Sequence, residues 1–158
     1  FYRQIESDCT AIIIRQKPTE KDLRCLSAFM QLVRDLERIG DYAKNLGEIA
    51  IKLFPYPRHS SLPKIAIMSQ HAQAMLATCL VALADLDETG GERMKQLDDA
   101  VDNAYERLYQ TLAHQENIPG VIEPILLLTL AIRCLERMAD HSTNIAQRVT
   151  YIVTGQRN

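Results

Sequence analysis

The chain has 158 residues, 47% of them hydrophobic, 24% charged and 6% aromatic, with no Trp and a formal net charge of −2. This length supports a real hydrophobic core without obligatory disulfides or metal, and the mild acidity argues against a nucleic-acid footprint, which calls for a strongly basic domain. The longest nearly pure apolar runs, Met75 to Ala84 and Ile125 to Ile132, are about half the roughly 20 residues of a membrane span, so no direct membrane insertion is expected. Cys9, Cys25, Cys79 and Cys134 are scattered without a C-x-x-C pair, which reads as reduced thiols of a cytosolic protein.

Turn signals divide the chain at Pro18-Thr19, at Pro55 to Pro63, at Gly90-Gly91 and at Pro119-Gly120. The five stretches between them, 2–17, 20–54, 62–88, 92–116 and 119–154, lack strand alternation and carry a period near 3.6. Thr19 before Glu20 and Asp22 is an expected helix start, and Ser61 before Pro63 another. Long helices joined by short loops predict an all-α bundle fold.

The second stretch carries apolar positions Leu32, Leu36, Ile39, Ala43, Leu46, Ala50 and Leu53, spaced 4-3-4-3-4-3. The fifth repeats this spacing with every number raised by 99: Ala131, Leu135, Met138, Ser142, Ile145, Val149 and Ile152. Polar identities recur at the same offset. Arg34, Glu37, Arg38, Asp41 and Asn45 return as Arg133, Glu136, Arg137, Asp140 and Asn144. Shared polar residues at a fixed offset indicate internal duplication. The expected architecture is two tandem, spectrin-repeat-like three-helix bundles, residues 1–58 and 59–158, the first lacking its N-terminal helix.

Beside the seams lie acidic i, i+4 pairs: Glu37 and Asp41, Glu136 and Asp140, and in the fourth stretch Asp98 and Asp102. Like charges at this spacing weaken an isolated helix by a few tenths of a kcal/mol, which calls for a compensating partner. Neighbouring arginines are one such partner, and Arg34, Arg38, Arg133 and Arg137 stand close by. A hard cation, which carboxylate oxygens suit, is the other. A di-iron enzyme of the bundle type would need Glu-x-x-His pairs, and none occurs. His141 follows Asp140 directly and so points about 100° away from it, as a surface or flank histidine. No phosphate loop, nucleophile elbow or Cys–His constellation is present.

The strings DLERIGDYAKN (35–45) and CLERMADHSTNIAQRVTYIVTG (134–155), with Pro18-x-x-x-Asp22-Leu23-Arg24 upstream, resemble the PhoU family of phosphate-signalling regulators. The resemblance implies two similar three-helix bundles whose E/D-x-x-x-D motifs bind multinuclear iron or zinc. By position the ligands become Glu37, Asp41, Asp98, Asp102, Glu136 and Asp140, flanked by Arg38, Asn45, Arg137 and Asn144. In the first bundle the counterpart of Asp98 and Asp102 falls at or before Phe1, where only Glu6 and Asp8 stand nearby. The resemblance further implies a non-enzymatic, cytoplasmic negative regulator of phosphate uptake. It would link the ATPase subunit of a phosphate ABC transporter to a sensor histidine kinase, in peripheral association with membrane complexes and with homodimerisation left open. A metal-dependent bundle enzyme using the same carboxylates is the alternative.

Overall fold

The computed structural model describes residues 1–116 and 120–156, without the side chains of 90–92. Among these residues all regular structure is helical: α1 (Tyr2–Gln16), α2 (Glu20–Leu53), α3 (Leu62–Asp85), α4 (Gly90–Ala113) and α5 (Glu123–Thr154). The expected boundaries differ by three or four residues at three ends and by one or two at three others. Helix α3 stops at Asp85 because Leu86 takes the left-handed conformation (φ 50°) and its N–H bonds the carbonyl of Ala82. Helix α4 stops at Ala113, and α5 opens at Glu123. The expected start at 119 lies outside the described residues.

Two proposed caps have different outcomes. Thr19 is extended (φ −63°, ψ 166°), and its hydroxyl oxygen accepts the N–H of Asp22 at 3.3 Å, satisfying one of the free donors of the first turn. Ser61 does not cap with its side chain. It is already in the helical region of φ/ψ, and its N–H instead bonds Nδ1 of His59 at 3.1 Å. The backbone enters α3 through His59, whose Nε2 lies 2.7 Å from Oε1 of Gln115 in the segment after α4.

Helices α3, α4 and α5 each pack on the other two, α2 packs along α5, and α1 packs on α2 alone. The core of the three-helix set is built from Met68, Met75, Met94, Val101, Leu108, Leu128, Ile132 and Ile145, all nearly or fully buried. Burying a side chain of this size contributes about 1.5–3 kcal/mol. The four cysteines are free thiols; Cys9, Cys79 and Cys134 are buried and Cys25 is half-buried. Helix α3 is, by length and composition, apolar enough to cross a membrane, a property hidden from a count of unbroken apolar runs because Ser69, Gln70, His71 and Gln73 interrupt it. Its residues Ile65, Met68, Ala72, Met75 and Cys79 belong to the bundle core, and core helices pass the same test.

The duplicated seams have different surroundings. On α5 every seam residue except the half-buried Met138 is buried, Ser142 and Val149 fully so. On α2 the equivalent residues Ala43 and Ala50 are exposed, while Leu36, Leu46 and Leu53 are half-buried. The difference follows from the number of neighbours: α5 is flanked by three helices and α2 by two.

A second stripe on α2, Ala28, Asp35, Tyr42 and Ile49 at seven-residue intervals, faces α5. Its offset equivalents Leu127, Cys134, His141 and Arg148 face back. The pairing runs antiparallel: Gln31 and Asp35 meet Arg148, Tyr42 stacks on His141 at 5.9 Å between ring centroids, and Ile49 clusters with Leu127, Ala131 and Cys134. Tyr42 and His141 are each other's equivalents, so the antiparallel α2–α5 pair meets at one repeated position.

Candidate functional site

Four of the six candidate carboxylates come together. Helix α4 turns Met94, Val101 and Leu108 into the core, which places Asp98 and Asp102 on its flank toward α5. Helix α5 buries Leu135, Ala139 and Ser142, which brings Glu136 and Asp140 to the facing flank. The two helices are tied there by the hydroxyl of Thr143, which donates to Oδ1 of Asp98 at 3.1 Å. Tyr105 of α4 receives the guanidinium of Arg133 over its ring at 6.0 Å.

The charges interact. Burial pushes the Asp98 carboxyl above its ordinary range, more than the Thr143 hydrogen bond lowers it, and Asp140 adds to the rise. Partial burial raises Asp102 in the same direction, joined by repulsion from Asp98 and Asp140. Glu136 is raised first by burial and then by Asp140, with Arg133 and Arg137 partly offsetting both. Each shift signals a cost of keeping the anion where it is.

Arginines supply part of the compensation. Arg133 Nη1 stands 2.7 Å from Oε1 of Glu136, and Arg137 Nη1 stands 2.7 Å from Oδ2 of Asp140. Arg137 also bonds Tyr42, which raises its pKa and ties this cluster to the α2–α5 seam. The compensation is incomplete, because Oε2 of Glu136 is buried without a hydrogen-bond partner. As the side chains are placed, no three His, Cys, Asp or Glu among the described residues stand close enough together to hold an ion.

Glu37 and Asp41 lie exposed on α2, apart from the other four. Arg38 Nη1 is 3.9 Å from Oδ2 of Asp41, a loose and solvated pair of small energetic weight. The expectation that both counterparts fall at or before Phe1 holds for Asp98 alone: at the offset of 99 the equivalent of Asp102 is Arg3, so a cation stands in the first half where a carboxylate stands in the second. The Arg3 guanidinium is held further toward its charged form, mainly by its hydrogen bond with Tyr2 and in smaller part by Glu37 and Glu6. Glu6 in turn lies 3.7 Å from Arg34. Of the motif-flanking asparagines, Asn45 is exposed and Asn144 half-buried.

Asp35 is the functional-looking residue that motif reasoning passes over. It is 7% exposed; Oδ1 takes Nδ1 of His141 at 2.8 Å, and Oδ2 takes the guanidinium of Arg148. The signal was present in the sequence: one charged residue in the otherwise uncharged stripe Ala28–Asp35–Tyr42–Ile49. His141 is therefore a half-buried partner across the α2–α5 seam and not a free flank histidine. Thr143 is the other omission. Its offset equivalent is Lys44, so the repeat gave no hint of it.

The fold and site define an all-helical bundle protein with a carboxylate cluster on the facing flanks of two of its helices. The PhoU domain family matches residues 1–50 and 65–149, and the chain belongs to that family. A Synechocystis protein named phosphate-specific transport system accessory protein PhoU homolog is 62% identical over 99% of this chain and 70% of its own length. A crystal structure of PhoU from Pseudomonas aeruginosa superimposes with a TM-score of 0.91 at 32% identity, covering 98% of this chain and 75% of that one. The phosphate transport system regulatory protein PhoU from Streptococcus pneumoniae gives 0.88 at 25% identity, over 99% and 74% of the two chains.

Proposed function

We propose that the chain is a non-enzymatic accessory protein of a phosphate-specific transport system, acting in the cytoplasm on membrane-bound partners. The identity to the Synechocystis accessory protein across nearly the whole chain carries this reading. The finer assignment is an adaptor between the transporter ATPase subunit and a sensor histidine kinase, with units meeting near residues 58 and 59. An adaptor of this kind works only through differential affinity for the conformational states of its partners. A long helical surface such as the α2–α5 pair suits that task.

The carboxylate cluster is the second element of the proposal. Asp98, Asp102, Glu136 and Asp140 would hold iron or zinc: all offer carboxylate oxygens, which ligate zinc as well as harder cations, one buried oxygen of Glu136 has no partner, and the side chains would have to draw closer together to share an ion. A bound cation would supply positive charge to the acidic flank and cross-link α4 to α5. Glu37 and Asp41 would need further carboxylates to form an equivalent site.

Affinity capture tests the adaptor reading. The purified full-length protein should retain the transporter ATPase and the kinase at micromolar concentration, and binding to neither would overturn it.

A further inference from the structure

On the side of α4 away from the carboxylates, a half-open groove of about 360 Å³ runs between α3 and α4. This is at the low end of small-molecule pockets, about 300–1,000 Å³. Its floor is apolar, formed by Ile67, Ala104 and Leu108. Its charged lining residues are both cations, Lys64 and Arg107, and no Asp or Glu lines it. Helices α3 and α4 are successive and antiparallel, so Lys64 near the start of α3 and Arg107 toward the end of α4 share one end of the groove. Neither side chain makes an ion pair or hydrogen bond among the described residues. His71 lines the part of the groove furthest along α3 from Lys64, and its Nδ1 is buried without a hydrogen-bond partner.

We propose that the α3–α4 groove binds a small amphiphilic anion, with its carboxylate or phosphate head between Lys64 and Arg107 and its apolar body along Ile67, Ala104 and Leu108. Two unpaired cations beside an apolar floor match a ligand with that polarity. Charge-assisted contacts to the head supply orientation, and burial of the body supplies affinity. The site is separate from the carboxylate cluster, which lies on the opposite flank of α4.

The test uses octyl phosphate and octanoate as probes with isotope-labelled full-length protein, followed by amide and methyl NMR shifts. Saturable one-to-one shifts at Ile67, Ala104 and Leu108 are expected, with affinity at least tenfold weaker in the exposed double variant Lys64→Ala/Arg107→Ala. Octanol should bind much more weakly, and inorganic phosphate should leave the three residues unshifted. Equal binding of octanol, equal shifts with inorganic phosphate, or octyl phosphate binding that ignores the double substitution would each overturn the proposal. So would capture by phosphatidylglycerol vesicles without a response to monomeric octyl phosphate, because that outcome assigns the cations to a membrane surface.

Discussion

The ring of Tyr42 stacks on the ring of His141 at 5.9 Å, and the two residues occupy one position of the duplicated unit, 99 residues apart. On one side of this pair the α2–α5 seam is ionic, with Asp35 held by His141 and Arg148. On the other side the equivalent positions are Cys134 and Ile49, which sit together in an apolar cluster. One backbone geometry thus accepts two chemistries, an ion pair and an aliphatic contact.

Removing one partner of the ionic end has a predictable cost. Asp35→Ala leaves the Arg148 guanidinium and the His141 ring nitrogen without their acceptor in a largely buried seam, and breaking such a pair costs about 3–5 kcal/mol. The double variant Asp35→Cys/Arg148→Ile copies the opposite end of the seam and should recover at least half of that loss. Urea unfolding of the three proteins measures it; a double variant no more stable than Asp35→Ala would contradict the account.

The metal-free protein should show an inverted pH response at the carboxylate cluster. Asp98, Asp102 and Glu136 have folded pKa values above their ordinary ones, so the folded state binds more protons than the unfolded state across that interval. Stability therefore falls as pH rises from the ordinary carboxyl range, about 4, through the raised values, and is regained on acidification. Asp102→Asn should raise the stability of the metal-free protein at pH 7 by a few tenths of a kcal/mol, the scale of like-charge repulsion at i, i+4 spacing, and flatten the profile. Thermal melts across pH 4 to pH 8 measure it (a range set by those carboxyls). An unchanged profile in Asp102→Asn would contradict the raised Asp102 carboxyl.

Helix α5 ends on Gly155 at φ 76°, and its N–H bonds the carbonyl of Tyr151 at 2.9 Å. The guanidinium of Arg24, from the P-x-x-x-D-L-R segment, lies where a Cβ would project. Gly155→Ala should cost about 1–2 kcal/mol from the left-handed backbone alone, with little extra because the arginine side chain can swing aside. Gly120, with φ 83° and open space around it, is the control: its alanine variant should lose the backbone part only.

Much of the fold was legible because its signals are local and periodic. Seam spacing, the Thr19 cap and the proline segment 55–63 all act within a few residues. The repeated polar string also placed Glu136 and Asp140 on one helix flank. That Asp98 and Asp102 face them depends on how α4 rotates against α5, which no local spacing states. The first half was less legible. Its motif carries Glu37 and Asp41 faithfully, but Arg3 stands where Asp102 has its place, and the seam alanines are uncovered. Asp35 was missed because a charged residue in a seven-residue stripe acquires meaning only when the facing stripe, with Arg148 and His141, is known.

The carboxylate cluster is tested most directly by titration of apo protein with iron(II) or zinc, read as metal bound per chain and as the shift in melting temperature. The wild-type protein should take up metal and melt higher. The variant Asp98→Asn/Asp102→Asn/Glu136→Gln/Asp140→Asn should remain folded and do neither. Equal uptake by that variant, or no uptake and no shift in the wild type, would contradict the assignment of these four residues to a cation.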